Sequence, residues 1–150
     1  MEFNGEETIK APRQDVWNFL LDPEQATQCA PGLQSIDVID EDHFKCTVRA
    51  GVGMIRGNFN FDVKWTEKNE PNHAEMTANG NAAGSAVQMH SVLDLSDVED
   101  GATLMKWTAN VRVSGKLAGV GGRLMNPVAD RMTKDIFGCI RSKLEDGNQS

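Results

Sequence analysis

The chain has 150 residues, the usual length of a single domain with one core. Hydrophobic residues make up 39% and charged residues 25%, which excludes a disordered, collagenous or coiled-coil chain. The net charge of −7 opposes a polyanionic partner, so we expect no nucleic-acid binding.

The first 32 residues predict one strand and two short helices. Residues 1–10 form the strand, and Pro12 begins a helix because its ring fixes φ near the helical value. Asp22-Pro23 ends this helix and caps a second short helix. The apolar residues of the first helix recur at helical spacing: Val16, Trp17, Leu20 and Leu21.

Residues 33–114 alternate between apolar and polar side chains with a period of two, and five turn-like breaks divide them into six strands. The alternation separates apolar from charged residues in every strand, as in an antiparallel sheet with one face in water. On the fourth strand of the chain, for example, Phe59, Phe61 and Val63 alternate with Asn60 and Asp62. Strands of about 11–14 residues exceed the usual length, so the sheet must curl.

The last large element is a long helix over Lys116 to Leu144, with apolar residues about four positions apart. We expect this helix to lie inside the curled sheet. Pro127 removes one helical hydrogen bond, so we expect the helix to kink or divide there. Residues 145–150 are predicted to be a frayed tail, and residues 1–150 a single ligand-binding domain.

The order of elements and several short motifs give the chain a family resemblance. The chain resembles the CoxG family of carbon monoxide dehydrogenase subunits, within the START-like, or SRPBCC helix-grip, superfamily. The motifs are Phe3-Asn4-Gly5-Glu6, Ala11-Pro12 with Val16-Trp17 and Phe19-Leu20, Asp22-Pro23, Cys29-Ala30-Pro31-Gly32, Gly51-Val52-Gly53, and Gly115-Lys116-Leu117-Ala118 with Arg123-Leu124.

This resemblance implies an α+β helix-grip fold, in which a curved antiparallel sheet of about seven strands wraps around the C-terminal helix. It also implies an apolar cavity between sheet and helix, and an accessory role for a molybdenum-containing hydroxylase at or near a membrane. It does not imply that this chain oxidises carbon monoxide.

Small residues on both sides of the predicted interior leave two interpretations open. Ala74, Ala78 and Ser91 face inward on the sheet, and glycines crowd the start of the helix. They allow either close packing in a filled core or an apolar cavity. The family resemblance favours the cavity. We expect its ligand-binding residues to be Phe59, Phe61, Met76, Met89, Trp107 and Ala109 on the sheet, and Leu117, Val120, Gly121, Leu124 and Val128 on the helix.

The predicted interior contains no acid–base pair, so we expect no catalytic residue. His43, His73 and His90 are interpreted as exposed side chains, and no metal or covalent cofactor is expected. The glycine-rich segment Gly115 to Gly122 is a poor helix start and our candidate gate to the cavity. Cys29, Cys46 and Cys139 are odd in number and widely separated, which suits reduced thiols in the cytoplasm.

We therefore expect a binding or carrier protein for a lipid- or quinone-like molecule, with molybdenum hydroxylase subunits as partners. No basic leader and no run of about 18 apolar residues is present, so we expect a cytoplasmic protein with at most transient contact at the inner membrane face. Two alternatives stay open. One is a ligand-free assembly or recruitment factor. The other is a cyclase- or dehydratase-like enzyme, which would need Ser91 or Arg56 as a polar group at the cavity.

Overall fold

The computed structural model describes residues 1–52, 55–82, 84–119 and 122–147. The strands are β1 (Glu2–Ile9), β2 (Leu33–Asp40), β3 (His43–Val52), β4 (Ile55–Asn69), β5 (His73–Ala82), β6 (Ser85–Asp97) and β7 (Thr103–Gly115). The helices are α1 (Arg13–Leu21), α2 (Pro23–Ala26) and α3 (Gly122–Gly147). Short 3-10 helices lie at Thr27–Cys29, Glu99–Gly101 and Lys116–Gly119.

The seven strands form one antiparallel sheet in the order β1-β7-β6-β5-β4-β3-β2. β1 and β2 are the edge strands, and each strand from β2 to β7 pairs with the next along the chain. The predicted helix-grip fold is therefore confirmed, including the two short helices that follow β1. Of the Gly51-Val52-Gly53 motif, Gly51 and Val52 end β3, and Val52 pairs with Ile55 of β4; Gly53 lies outside the described residues.

The apolar face of the sheet is the concave face, and it packs towards α3. Phe59, Val63 and Ala78 are buried on it, whereas Asn58 and Lys64 are exposed on the convex face. A register with a side-chain period of two keeps this separation along each strand. The predicted division of the sheet into an apolar and a polar face is thus confirmed.

The short helices begin where the sequence predicts. Pro12 precedes α1 in an extended conformation, and Asp22 accepts a hydrogen bond from the Glu24 backbone N–H at 3.0 Å. That bond satisfies one of the free amides at the start of α2. The apolar residues Val16, Trp17 and Phe19 of α1 are buried, which fixes the two helices against one end of the sheet.

The C-terminal helix differs from the prediction at both ends and in the middle. Lys116–Gly119 forms a 3-10 helix, and α3 begins only at Gly122. α3 continues as one element through Pro127 and reaches Gly147, so the predicted division and the predicted end at Leu144 are wrong. Beyond Leu144, Glu145 Oε2 accepts a hydrogen bond from the Lys10 backbone N–H at 3.1 Å, which holds the last turns of the helix to the end of β1.

The cysteines also differ from the prediction. Cys29 and Cys139 form a disulfide across a sequence separation of 110 residues, and Cys46 is the free thiol. The expectation of three reduced thiols is wrong because spacing along the chain says nothing about which residues the fold brings together. The disulfide joins the 3-10 helix at Thr27–Cys29 to the C-terminal half of α3.

Candidate ligand-binding hollow

The concave side of β6 is buried at both ends but accessible in the middle. Ser85 and Leu95 are buried, whereas the inward-facing residues between them are half-buried: Val87, Met89, Ser91 and Leu93. β6 is an internal strand, with two strands on one side and four on the other. Water can reach its centre only if α3 stands away from the sheet there. We call this space the hollow.

The two halves of α3 pack differently over the sheet. In the C-terminal half, Phe137 and Ile140 are buried in a cluster with the apolar residues of α1 and β1. In the N-terminal half, Met125, Val128 and Met132 are half-buried. The C-terminal half therefore closes one end of the sheet, and the N-terminal half covers the hollow.

Three links hold the C-terminal half in place. The first is the disulfide between Cys29 and Cys139. The second is an ion pair of 2.9 Å between the Arg141 guanidinium and Glu7 of β1. The third is the bond from Lys10 to Glu145. All three lie away from the hollow, so a movement of the N-terminal half of α3 leaves them intact.

Trp107 lies where the packed end of the molecule meets the hollow. Its ring stacks on Phe137 with the centroids 6.0 Å apart. The indole Nε1 is buried and has no hydrogen-bond partner in the described part of the chain. A β-carbon on Gly5 would lie 3.0 Å from Nε1, so this glycine makes room for the indole on the neighbouring strand β1.

The wall of the hollow on β4 consists of two phenylalanines. Phe59 is buried and Phe61 is half-buried, with their ring centroids 6.4 Å apart. Phe61 packs in a cluster whose partly buried members include Met76 and Met89. Flexible thioethers beside an aromatic ring adapt their shape to irregular apolar ligands.

A cleft of about 380 Å³ opens between β3 and the N-terminal half of α3. Its walls combine apolar residues with charged ones at the rim, and the residues are Pro31, Gly32, Arg49, Ala50, Gly51, Pro127, Val128, Arg131, Met132 and Asp135. A cleft of this size is typical of small-molecule sites. It is the natural entrance to the hollow, since Val128 and Met132 belong to both.

The segment predicted as a gate is fixed at its start. The Lys116 backbone N–H donates to the Gly84 carbonyl at 2.8 Å, and the Leu117 N–H donates to the buried Ser85 Oγ at 3.1 Å. Leu117 itself is 3% exposed. Any opening of this segment therefore begins after Leu117.

The predicted ligand-binding residues fall into three groups. Those bordering the hollow are half-buried: Phe61, Met76, Met89, Trp107 and Val128. Those beneath the surface are buried: Phe59, Ala109 and Leu117. Val120 and Gly121 lie outside the described residues, as does the side chain of Leu124. The prediction omitted Val87, Ser91 and Met132, although the alternation of β6 and the helical spacing of α3 contained the signal for them.

The concave positions of β4 to β7 in the described ranges carry no ionisable side chain. The polar groups among them are occupied, since Ser91 Oγ donates to the Thr108 carbonyl at 3.0 Å and Thr103 Oγ1 donates to the Ala11 carbonyl at 2.7 Å. This surface suits an apolar ligand. It offers no group placed for proton transfer.

A curved antiparallel sheet that holds a C-terminal helix over an apolar hollow defines the START-like, helix-grip class of proteins. Solved structures of this class match the chain. A START superfamily protein from Mycobacterium smegmatis has a TM-score of 0.70 at 11% identity, with 97% of each chain covered. A protein from Thermus thermophilus has a TM-score of 0.72 at 12% identity, covering 98% of this chain and 99% of that one.

The chain belongs to the CoxG family of carbon monoxide dehydrogenase subunits, whose profile matches residues 5–145. It is also similar to a conserved protein from Geobacillus kaustophilus, with a TM-score of 0.90 and 27% identity over 97% of this chain and 96% of that chain. No curated protein matches the chain. Among the described helices, none is long and apolar enough to cross a membrane.

Proposed function

We propose that the protein binds a lipid- or quinone-like molecule in the hollow and serves as an accessory factor to a molybdenum hydroxylase of the carbon monoxide dehydrogenase type. The observation that supports this most strongly is the accessible centre of β6. Four inward-facing side chains on an internal strand remain half-buried, and the strand is closed at both ends. An apolar ligand would cover them and add the burial that the free protein lacks, at about 25 cal/mol per Å².

An isoprenoid quinone is the ligand we favour. A hydroxylase that oxidises its substrate must pass the electrons on, and a membrane-soluble quinone needs shielding from water outside the bilayer. Phe61, Met76, Met89 and Trp107 offer aromatic and thioether contacts for a ring and a tail. We expect the protein to act in the cytoplasm, with transient contact at the inner face of the membrane.

Ligand extraction tests the proposal. The purified chain is extracted with organic solvent, and mass spectrometry of the extract should show a lipid or quinone in a fixed ratio to protein. The emptied protein is then titrated with decylubiquinone while tryptophan fluorescence is recorded. We expect saturable quenching, because Trp107 borders the hollow.

A pair of matched variants identifies the quenched tryptophan. Trp107→Phe should lose most of the quenching, whereas Trp17→Phe should retain it, since Trp17 is 3% exposed in the packed end of the molecule. Repeatedly empty extracts together with no saturable quenching would contradict the proposal.

A ligand-free assembly or recruitment factor is the second candidate, and one surface feature favours it. Val38 and Ile39 on the edge strand β2 are 41% and 50% exposed, so they offer an apolar contact for a partner protein. In a pull-down with hydroxylase subunits, loss of capture by Ile39→Lys but not by a variant that fills the hollow would favour this candidate.

We do not propose an enzyme of the cyclase or dehydratase kind. The hydroxyl of Ser91 is engaged with Thr108, and Arg56 is exposed on the convex face opposite Gly51. Neither group is placed to act on a molecule in the hollow.

A further inference from the structure

Three neighbouring strands bring acidic and histidine side chains together on the convex face, on the opposite side of the sheet from the hollow. Glu67 of β4 pairs with Glu75 of β5, and His73 of β5 pairs with Asp94 of β6. His90 of β6 completes this group, which we call the outer cluster. These side chains share one face because their strand positions point the same way.

The imidazole of His73 is the centre of the outer cluster. Its Nε2 lies 2.9 Å from Glu67 Oε2 and 3.0 Å from Glu75 Oε2. One ligand atom from each of these three residues lies within 4.8 Å of the other two. Two carboxylate oxygens thus converge on the same ring nitrogen, where a cation can replace the proton.

The remaining members hold the first three in position. His73 Nδ1 lies 2.5 Å from Asp94 Oδ1, which orients the ring so that Nε2 faces Glu67 and Glu75. His90 Nε2 lies 3.1 Å from Glu75 Oε1, the oxygen that does not contact His73. A carboxylate on the far nitrogen of a histidine ligand is the usual arrangement at protein metal sites, and it raises the basicity of the ligand.

We propose that Glu67, His73 and Glu75 bind a divalent first-row transition-metal ion, with Asp94 and His90 as positioning residues. One imidazole nitrogen and two carboxylate oxygens are donors that Zn²⁺ accepts. The proton on Nε2 leaves to solvent as the ion binds, and water fills the open coordination position. The side chains of His73 and Glu75 are 26% and 28% exposed, so the ion has direct access from solvent.

Spacing along the chain concealed this site. His73 and Glu75 are two residues apart, whereas Glu67 and Asp94 reach them only through the strand register. The expectation of freely exposed imidazoles is wrong for His73, which contacts three carboxylates. It is also wrong for His43, whose Nε2 lies 2.6 Å from Asp62 Oδ1 on the same face of the sheet.

Calorimetric titration with ZnCl₂ tests the proposal. The full chain, free of any histidine tag and treated with EDTA, is titrated at constant pH. We expect one equivalent to bind, and binding at least about tenfold weaker in His73→Asn and in Glu75→Gln. Asp94→Asn should weaken binding about 10- to 100-fold through loss of the oriented ring.

His43→Asn is the matched control, because it removes a histidine paired with one carboxylate instead of three. It should bind zinc as the wild type does. If Glu75→Gln fails to fold, Glu67→Gln replaces it, since that side chain is 49% exposed. No saturable binding, unchanged affinity in His73→Asn, or an equal loss in His43→Asn would overturn the proposal. Ligand binding in the hollow is measured on the other face of the sheet, so the two tests fail separately.

Discussion

The ring of Phe61 lies so close over Gly80 that a β-carbon on Gly80 would be 2.4 Å from Cε1 of Phe61. The two residues are register partners on β4 and β5. The missing side chain of Gly80 therefore sets how far the Phe61 ring withdraws from the hollow.

Gly80→Ala should move the Phe61 ring into the hollow. The added methyl group cannot fit under the ring, so we expect a loss of stability of about 1–3 kcal/mol from overpacking. We also expect weaker binding of decylubiquinone than in the wild type, because the displaced ring occupies ligand space. Urea unfolding and fluorescence titration measure the two effects.

Gly138→Ala is the control for that substitution. A β-carbon on Gly138 meets no atom within 4 Å, and the residue lies on the exposed side of α3. The same added methyl should stabilise the helix by up to about 1 kcal/mol and leave quinone binding unchanged. Equal quinone affinity in Gly80→Ala and Gly138→Ala would contradict the role assigned to Phe61.

Removing the disulfide should destabilise the protein strongly. A cross-link over 110 residues restricts the unfolded chain, and bonds of this kind typically contribute about 2–5 kcal/mol. We expect the double variant Cys29→Ala with Cys139→Ala to lose stability of this order in urea unfolding. The wild type should lose a similar amount in the presence of dithiothreitol.

Thiol counting checks the same prediction independently. In denaturant, one thiol of the oxidised protein should react with an alkylating reagent, and three should react after reduction. In the native state Cys46 should react slowly, because burial raises the pKa of its thiol. Three reactive thiols without reduction would show that the disulfide does not form.

Ser85→Ala should loosen the start of the 3-10 helix at Lys116–Gly119. The buried Leu117 N–H loses its acceptor, and an unsatisfied buried donor costs about 1–3 kcal/mol. Hydrogen exchange at Leu117 should accelerate. Ser96→Ala, at an exposed position on the same strand, should change neither stability nor exchange, and equal effects in both variants would contradict the assignment.

In metal-free protein, His73 should titrate well above a free histidine. Hydrogen bonds with Glu75 and Asp94 raise the pKa of His73 from 6.5 to about 9. A raised pKa in the folded state means that the stabilisation is complete below about pH 6.5 and is lost as the pH rises through 9. Proton NMR of the imidazole follows this directly. Glu75→Gln should lower the midpoint, and a wild-type midpoint near 6.5 would contradict the geometry.

The sequence carried most of the fold because one physical signal recurs in every strand. Alternation of apolar and polar residues determined the apolar face of each strand, and register then placed Phe61, Met76 and Met89 on one surface. The two short helices followed from Pro12 and Asp22, whose backbone and capping preferences are local.

Contacts between distant segments could not be predicted in this way. The disulfide joins residues 110 positions apart, and the outer cluster needs three strands in register. The continuity of α3 through Pro127 also depends on packing, since Val128 and Met132 hold the helix over the sheet despite the missing hydrogen bond. The hollow itself was one of two open interpretations, because the same small residues suit a filled core.

Methyl NMR tests the central claim most directly. Protein labelled with ¹³C at the methionine methyl groups is titrated with decylubiquinone. Met76 and Met89 border the hollow, whereas Met105, also on the concave face, is 3% exposed in the packed end. We predict saturable shifts for the Met76 and Met89 methyl groups and none for Met105. Unmoved Met76 and Met89 signals at saturating quinone would contradict a ligand in the hollow.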